Sequence, residues 1–260
     1  MQKKYVAFFD SGIGGLNLLA AFRKKYPDVP CLYYGDNVNA PYGNKSREEI
    51  CSLAFAAFGK IARKPVAAAA IACNTVTACC AGQLRAAFPF PVAGMEPAVR
   101  PAAKRGGNVL VLATRATMES ERMQKLLHRY SQDARFTLYC PQDLAGKIER
   151  AAPDFSRVDL SFLPKGEFSA VVLGCTHYVF LKDRISKTLS CPVFDGILGT
   201  ADHLYDIANI CSKKPQKRGK SALIFLGKAK NRNKTLYFSL FQNKQTFIMP
   251  QKRTKADKNF

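Results

Sequence analysis

Two of the nine cysteines stand where a thiol could act as an acid or a base. Cys73 closes an apolar run at 66–72, and Cys175 closes another at 170–173. Runs of this length predict buried strands, and the residues after each cysteine predict the start of a helix. Peptide dipoles at a helix N-terminus favour the thiolate and lower the pKa of a cysteine. The two positions therefore predict a pair of reactive thiols.

Polar residues follow both cysteines. Asn74 and Thr75 come after the first, and Thr176 and His177 come after the second. Amide and hydroxyl groups can bind carboxylate oxygens, and an imidazole can exchange protons near neutral pH. A single cysteine after a strand is more often structural, but a matched pair with such neighbours favours chemistry. The other two histidines, at 128 and 203, are predicted to be surface or helix residues.

A glycine-rich segment at 10–15, Asp-Ser-Gly-Ile-Gly-Gly, follows the first predicted strand. Glycines let a backbone approach a ligand closely, and a helix N-terminus behind them would offer N–H donors to an anion. The segment lacks the GxGxxG spacing and the lysine of phosphate-binding loops. It therefore favours a small anionic ligand over a dinucleotide or ATP.

The scaffold predicted around these residues is an α/β fold, in which short β-rich runs alternate with helical patterns. The predicted strands cover 5–10, 31–34, 66–72, 109–114, 136–140 and 170–173. The four alanines at 67–70 favour a helix by propensity, but the run after Pro65 is only long enough for a strand. Ligands of parallel sheets bind beyond the carboxyl ends of the strands, where both cysteines are placed.

The chain is predicted to form two similar α/β domains with the active site in the cleft between them. The strand-cysteine-polar pattern recurs after 102 residues, and a proline-rich break near 95–101 separates the two copies. The first domain is assigned to 1–97 plus about 208–260, and the second to 98–207. Residues 213–220 are interpreted as a solvated linker, after which apolar segments at 222–226 and 236–241 fold back onto the first domain.

Charge is concentrated at the C-terminal end. The net charge is +21, and residues 213–260 contribute +13 of it with 14 basic residues and one acidic residue. Aromatic residues interleave with this charge, so the tail could bind nucleic acid, or its aromatic residues could pack in a core, which we favour. We expect only weak, non-specific nucleic-acid binding.

The cysteines do not predict disulfides or a metal site. Their number is odd, they lie in apolar segments, and neither CxxC pairs nor clustered His/Cys ligands occur. The longest apolar run has eight residues, too few to cross a bilayer, and residues after Met1 show no apolar leader. We expect a cytoplasmic protein in a reducing compartment, without membrane partners, metal or cofactor.

The motifs together resemble the glutamate racemase branch of the aspartate/glutamate racemase family. Six blocks in order carry the resemblance, which is strong over about 5–180 and loose beyond. They are Asp10-Ser11-Gly12-Ile13-Gly14-Gly15, Tyr34-Gly35-Asp36, Pro41-Tyr42-Gly43 with Ser46, Ala72-Cys73-Asn74-Thr75, Thr114 with Thr117 and Ser120, and Gly174-Cys175-Thr176-His177-Tyr178.

The resemblance implies cofactor-independent interconversion of L- and D-glutamate, which supplies D-glutamate for peptidoglycan and so for the cell wall and cell shape. Cys73 would act on the D-isomer with help from Asp10, and Cys175 on the L-isomer with help from His177. The family also has a helical glutamate on the Cys175 side, for which Glu149 is the candidate, although its spacing from the preceding strand is one residue longer.

The resemblance also implies which residues bind the substrate, mainly through backbone and side-chain donors. Without it, the segment 41–43 is typical of a turn and the threonine at 117 of a helix cap. The implied substrate-binding residues are Ser11, Pro41, Tyr42, Gly43, Asn74, Thr75, Thr117 and Thr176.

Two alternatives remain at this point. The chain could be an aspartate racemase or a related two-cysteine isomerase, although the paired Cys-Asn-Thr and Cys-Thr-His segments with Pro-Tyr-Gly favour glutamate. It could instead be a basic nucleic-acid-binding protein that works through its C-terminal tail. A homodimer is a further expectation.

Overall fold

The computed structural model describes residues 4–209 and 222–241. Nine strands occur in these ranges. They are β1 (Tyr5–Asp10), β2 (Cys31–Gly35), β3 (Val66–Ile71), β4 (Val92–Gly94), β5 (Asn108–Ala113), β6 (Arg135–Tyr139), β7 (Ala170–Gly174), β8 (Val193–Phe194) and β9 (Leu223–Leu226).

Ten α-helices connect and cover these strands within the same ranges. They are α1 (Leu16–Lys25), α2 (Arg47–Ile61), α3 (Asn74–Ala87), α4 (Val99–Ala103), α5 (Arg115–Met118), α6 (Glu121–Arg129), α7 (Leu144–Ala151), α8 (Lys182–Leu189), α9 (Ile197–Ala208) and α10 (Lys230–Phe241). Short 3-10 turns at Tyr42–Asn44, Phe155–Arg157 and His177–Leu181 complete the described elements.

The strands form two parallel sheets. The first has the order β4-β3-β1-β2-β9, and the second has the order β6-β5-β7-β8. Every strand pairing is parallel, so within each sheet all carboxyl ends lie on one edge. The predicted fold class, two mainly parallel sheets flanked by helices, is therefore confirmed.

Burial explains why the alanine-rich run becomes a strand. Residues 68–71 of β3 are fully buried inside the first sheet, between β4 and β1, where small side chains leave room for helices on both faces. α2 and α3 pack together on one side, and α9 packs against β3, β4 and α1 on the other. One apolar core then runs from the first sheet through α9 into the second sheet.

The C-terminal segment joins the first sheet. β9 pairs with β2 in parallel register, from Cys31 opposite Leu223 to Tyr34 opposite Leu226. Tyr237 of α10 is buried and contacts the rings of Phe225, Phe238 and Phe241. These aromatic side chains are therefore part of the protein core, as favoured from sequence. The division into two domains at 97/98 and near 207 stays a prediction, and the predicted linker at 213–220 lies outside the described residues.

Candidate active site

A cleft of about 250 Å³, including the solvent at its mouth, opens where the carboxyl ends of the two sheets meet. Residues that follow β1 and β3 line it from the first sheet, and residues that follow β5 and β7 line it from the second. The lining residues are Ser11, Pro41, Tyr42, Gly43, Cys73, Asn74, Thr75, Thr114, Ala145, Cys175, Thr176 and His177.

Cys73 lies at the N-cap of α3, at the end of β3. Its sulfur is 3.4 Å from the hydroxyl of Ser11, and the residue is only 5% exposed. Burial and, second, the negative charge of Asp10 raise the pKa of the Cys73 thiol to about 12. The expectation that the helix N-terminus lowers this pKa is therefore wrong for Cys73 without substrate, because desolvation and the carboxylate outweigh the helix dipole.

Cys175 follows β7 and has a different neighbour. Its sulfur is 3.9 Å from Nδ1 of His177, which begins the 3-10 turn that follows the strand. Both residues are buried. The strand end thus presents the thiol to the cleft, and the turn brings the imidazole of His177 alongside it.

His177 and Glu149 form a buried pair behind Cys175. His177 Nε2 and Glu149 Oε1 are 2.8 Å apart. Burial opposes charge on His177, but hydrogen bonds with Cys175 and Glu149 outweigh it and raise the pKa of His177 well above its ordinary value. Burial likewise opposes charge on Glu149, and the hydrogen bond and charge of His177 lower its pKa overall. The pair is therefore an imidazolium and a carboxylate near neutral pH.

Asp10 is the corresponding carboxylate near Cys73. Its two oxygens accept hydrogen bonds from the Gly12 amide at 2.9 Å and from the Thr176 hydroxyl at 3.1 Å. The side chain is fully buried, and burial raises its pKa despite the opposing effect of His177. The bond from Thr176 joins a loop of the second sheet to the end of β1.

The glycine segment allows this close approach between the two sheets. A Cβ atom on Gly12 would lie 1.9 Å from Glu149 Oε1, and one on Gly14 would lie 2.3 Å from the hydroxyl oxygen of Thr176. The Ile13 amide between them donates a 2.7 Å hydrogen bond to Glu149 Oε1. These glycines therefore serve contact with the opposite sheet as well as access to the cleft.

Hydroxyl groups form a short chain along one side of the cleft. Thr75 and Thr114 hydroxyls are 3.0 Å apart, and Thr114 donates to Thr117 at 2.9 Å. Thr117 does not line this cleft. It lines a neighbouring cavity beside Met95. Asn74 is buried and its Oδ1 has no hydrogen-bond partner in the described structure, so it is available to a donor in the cleft.

The structure brings the predicted site residues together in one region, some on the surface of the cleft and others directly behind it. Both cysteines, His177 and seven of the eight predicted substrate-binding residues line the cleft. Asp10 and Glu149 stand directly behind it through the hydrogen bonds above, and Thr117 is reached through Thr114. Thr114 and Ala145 also line the cleft but were not among the predicted site residues, although Thr114 belongs to a block that carried the resemblance.

Two features of the described residues bear on other classes of protein. Among residues 4–209 and 222–241, no group of three or more His, Cys, Asp or Glu side chains is placed to hold a metal ion. None of the helices in these ranges is both long and apolar enough to span a bilayer.

The sequence is similar to racemases of known type. It matches the Asp/Glu/Hydantoin racemase family over residues 17–204. A glutamate racemase of Clostridium perfringens is 39% identical over 210 residues, which cover 76% of this chain and 81% of that protein. Another from Clostridium acetobutylicum is 35% identical over 226 residues, covering 80% of this chain and 88% of that protein.

The fold is similar to solved glutamate racemases. The Escherichia coli structure, with L-glutamate and the activator UDP-MurNAc-Ala, has a TM-score of 0.74 at 25% identity and covers 92% of this chain and 94% of its own. The Aquifex pyrophilus structure has a TM-score of 0.69 at 29% identity, with 92% and 95% coverage. The chain therefore belongs to the Asp/Glu/hydantoin racemase family, which confirms the predicted resemblance and the prediction that it is a racemase.

Proposed function

We propose that this racemase interconverts L- and D-glutamate with Cys73 and Cys175 as its two acid–base groups. The observation that carries the proposal is that thiols from two different sheets line one cleft, together with hydroxyl and amide groups suited to carboxylates. Inversion at a carbon centre requires a base on one face and an acid on the other, and two opposed strand ends can supply them.

The proposed reaction begins when one cysteine, as thiolate, takes the α-proton of glutamate. The electron pair of the broken C–H bond spreads into the α-carboxylate, whose growing charge is stabilised by donors such as the main-chain amides of Asn74 and Thr75 in the first turn of α3. The other cysteine, as thiol, then delivers its proton to the opposite face of the planar α-carbon. Cys175 acts on the L-isomer and Cys73 on the D-isomer.

The neighbours of each cysteine fit these roles. The imidazolium of His177 stabilises the negative charge that develops on Cys175 when its proton leaves, and Glu149 keeps that imidazole charged. Asp10 and Ser11 adjoin Cys73, whose high pKa holds its proton in the absence of substrate. The α-ammonium group of an arriving amino acid would offset the Asp10 charge and favour the Cys73 thiolate.

We propose glutamate rather than aspartate as the substrate because the relatives described above are glutamate racemases. Its product, D-glutamate, is a building block of bacterial peptidoglycan, so the enzyme would serve cell-wall synthesis in the cytoplasm. Assembly as a homodimer and weak nucleic-acid binding stay predictions. The basic tail beyond 241 lies outside the described residues.

The test is chiral chromatography of L-glutamate and L-aspartate after incubation with the purified protein in heavy water, without added cofactor. We expect L-glutamate to become racemic and the D-glutamate formed to carry deuterium at the α-carbon, because its proton comes from a solvent-exchanged thiol. The D-isomer should acquire deuterium before the remaining L-isomer does. Turnover should continue with a chelator and stop on thiol alkylation, from which glutamate should protect Cys73 and Cys175.

Racemisation of aspartate alone would replace the proposal with the aspartate alternative. No turnover of either amino acid, combined with a sequence-specific DNA complex that survives physiological salt, would favour the nucleic-acid alternative.

A further inference from the structure

Glu149 belongs to α7 on the second sheet, but most of its carboxylate partners come from the first sheet. Oε1 accepts a 2.7 Å hydrogen bond from the Ile13 amide and lies 2.8 Å from Nε2 of His177. Oε2 accepts a 3.2 Å hydrogen bond from Nδ2 of Asn37 and lies 3.3 Å from Nη2 of Arg232. Only His177 among these four comes from the second sheet.

Arg232 lies on α10, far along the chain from the cleft residues. Its Nη2 donates to the backbone oxygen of Glu149 at 2.9 Å in addition to its contact with the carboxylate. One guanidinium group therefore contacts both the main chain and the side chain of Glu149. Both contacts are made by the same nitrogen, and the planar guanidinium fixes the position of that nitrogen more than a flexible ammonium group would.

The helix that carries Arg232 is anchored at the neighbouring residue. Asn233 is fully buried and donates a 2.8 Å hydrogen bond to Oδ1 of Asn37, the residue that also contacts Glu149. A Cβ atom on Gly35 would lie 2.5 Å from Asn233 Nδ2, so α10 packs directly on the end of β2. The packing of α10 therefore fixes the position of Arg232 beside Glu149.

We propose that Arg232 is a positioning residue for racemisation, which acts with Asn37 to hold Glu149 against His177 and so sets the charge beside Cys175. This inference rests on the proposed function. It assigns a role at the cleft to α10, which comes after residues 210–221 in the sequence.

The arrangement also predicts a pH dependence. The titratable and charged groups whose interactions reach Glu149 are His177, Asp10, Tyr33 and Arg232. Of these, His177 and Arg232 lower the pKa of Glu149. Without Arg232, Glu149 is held less closely against His177, so the pKa of His177 falls and the imidazolium beside Cys175 is lost at a lower pH.

The test compares Arg232→Gln with Arg232→Lys, which restores the charge, and with Lys234→Gln, which removes an exposed charge from the same helix. Racemisation alone cannot show which cysteine is affected, because the two enantiomers have equal free energy and kcat/KM stays equal in both directions. Elimination of HCl from the L- and D-forms of 3-chloroglutamate separates the two sides. One thiolate takes the α-proton, chloride leaves from Cβ, and the enamine hydrolyses to 2-oxoglutarate and ammonia.

We expect Arg232→Gln to slow elimination from the L-form about five- to tenfold through kcat, a modest effect because the guanidinium is half exposed. Elimination from the D-form should change less than about twofold, which also shows that the variant is folded. The alkaline limb of the L-form profile should move to lower pH, and Arg232→Lys should recover part of the rate.

Equal effects on both forms, or an Arg232→Gln enzyme indistinguishable from Lys234→Gln, would overturn the positioning role while leaving the racemase proposal intact. An inactive wild-type enzyme would instead contradict the proposed function itself.

Discussion

The surroundings of Cys73 and Cys175 differ in charge, although both residues follow buried parallel strands and line the same cleft. Beside Cys73 are a neutral hydroxyl and the carboxylate of Asp10, and the thiol pKa is about 12. Beside Cys175 is the imidazole of His177, whose own pKa is well above its ordinary value. Similar backbone placement thus goes with opposite electrostatics.

The difference arises from contacts that cross between the sheets. Asp10, at the end of β1, accepts a hydrogen bond from Thr176 of the second sheet. Glu149 of the second sheet accepts one from Ile13 of the first. Each carboxylate is held by residues of the opposite sheet. The charge at each cysteine therefore depends on how the two sheets meet, and substitutions can test the two sides separately.

The largest expected effect follows replacement of either cysteine. Cys73→Ser and Cys175→Ser should each reduce racemisation by about 10³-fold or more, because every turnover needs both groups and a hydroxyl is a far weaker acid. Chiral chromatography measures this loss. With 3-chloroglutamate, Cys73→Ser should retain elimination from the L-form and Cys175→Ser elimination from the D-form.

The elimination assay is the control for folding, since each variant should keep one activity. If either variant racemised glutamate near the wild-type rate, or if both kept the same handedness, one cysteine per face would be the wrong assignment.

The next effect in size concerns the carboxylate behind Cys175. Glu149→Gln removes a negative charge but can still accept the hydrogen bond from Ile13, so the pKa of His177 should fall toward its ordinary value of about 6.5. The imidazolium is then lost as pH rises through that value. We expect elimination from the L-form to fall about a hundredfold at pH 8, and less at pH 6.

Glu167→Gln, at an exposed position, serves as the matched control for one lost charge. A parallel loss of D-form elimination in Glu149→Gln would show that the Glu149 charge serves both cysteines, and the contrast between the two sides would fail.

Much of the contrast was accessible from sequence because its central residues sit at strand ends. The predicted strand at 66–72 is β3 apart from its last residue, since strand length and flanking residues decided against the helical propensity of alanine. By contrast, β4 and β8 were not predicted. They have three and two residues, too few for a periodic pattern, and exist through pairing with β3 and β7.

The candidate site shows the same division. The cysteines and their polar neighbours are adjacent in sequence, so their types alone suggest chemistry. Arg232 and Asn37 are 83 and 112 residues from Glu149, and neither belongs to a motif with a chemical role. Arg232 reaches Glu149 because β9 joins β2, and Asn37 reaches it because the two sheets meet; local patterns contain neither long-range contact.

A smaller effect is expected from the glycine segment, and it falls on the opposite sheet. Gly12→Ala would place a Cβ atom 1.9 Å from Glu149 Oε1 and 2.9 Å from His177 Nε2, so the pair must shift. A shift of about 1 Å near reacting groups costs up to about a hundredfold, and we expect about a tenfold loss of L-form elimination. The loss should be greater than for the D-form, although Gly12 follows Ser11, whose hydroxyl contacts Cys73.

Gly59→Ala is the matched control, because nothing lies within 4 Å of a Cβ atom there. This helical substitution should leave both eliminations unchanged and stabilise the protein by roughly 0.5–1 kcal/mol, measured by denaturant titration. An active Gly12→Ala enzyme with wild-type preference between the two forms would contradict the close contact between the sheets.

The smallest expected effect is a pH-dependent difference in stability at Cys73. Burial and the Asp10 charge raise its pKa to about 12 in the folded protein, whereas a cysteine in the unfolded chain titrates near about 8.5. The folded state therefore favours the neutral thiol. This contribution to stability is complete below about pH 8.5 and is lost as the pH rises toward 12.

Denaturant titrations of wild type and Cys73→Ala at pH 8 and pH 10 isolate this contribution, because the packing lost in the variant is the same at both pH values. The free energy of unfolding of wild type should fall relative to the variant by roughly 2 kcal/mol, at about 1.4 kcal/mol for each pH unit above 8.5. A difference that does not change with pH would mean that Cys73 ionises as readily in the folded protein as in the unfolded chain. The carboxylate beside it would then have no influence on the thiol, and the electrostatic contrast with Cys175 would rest on His177 alone.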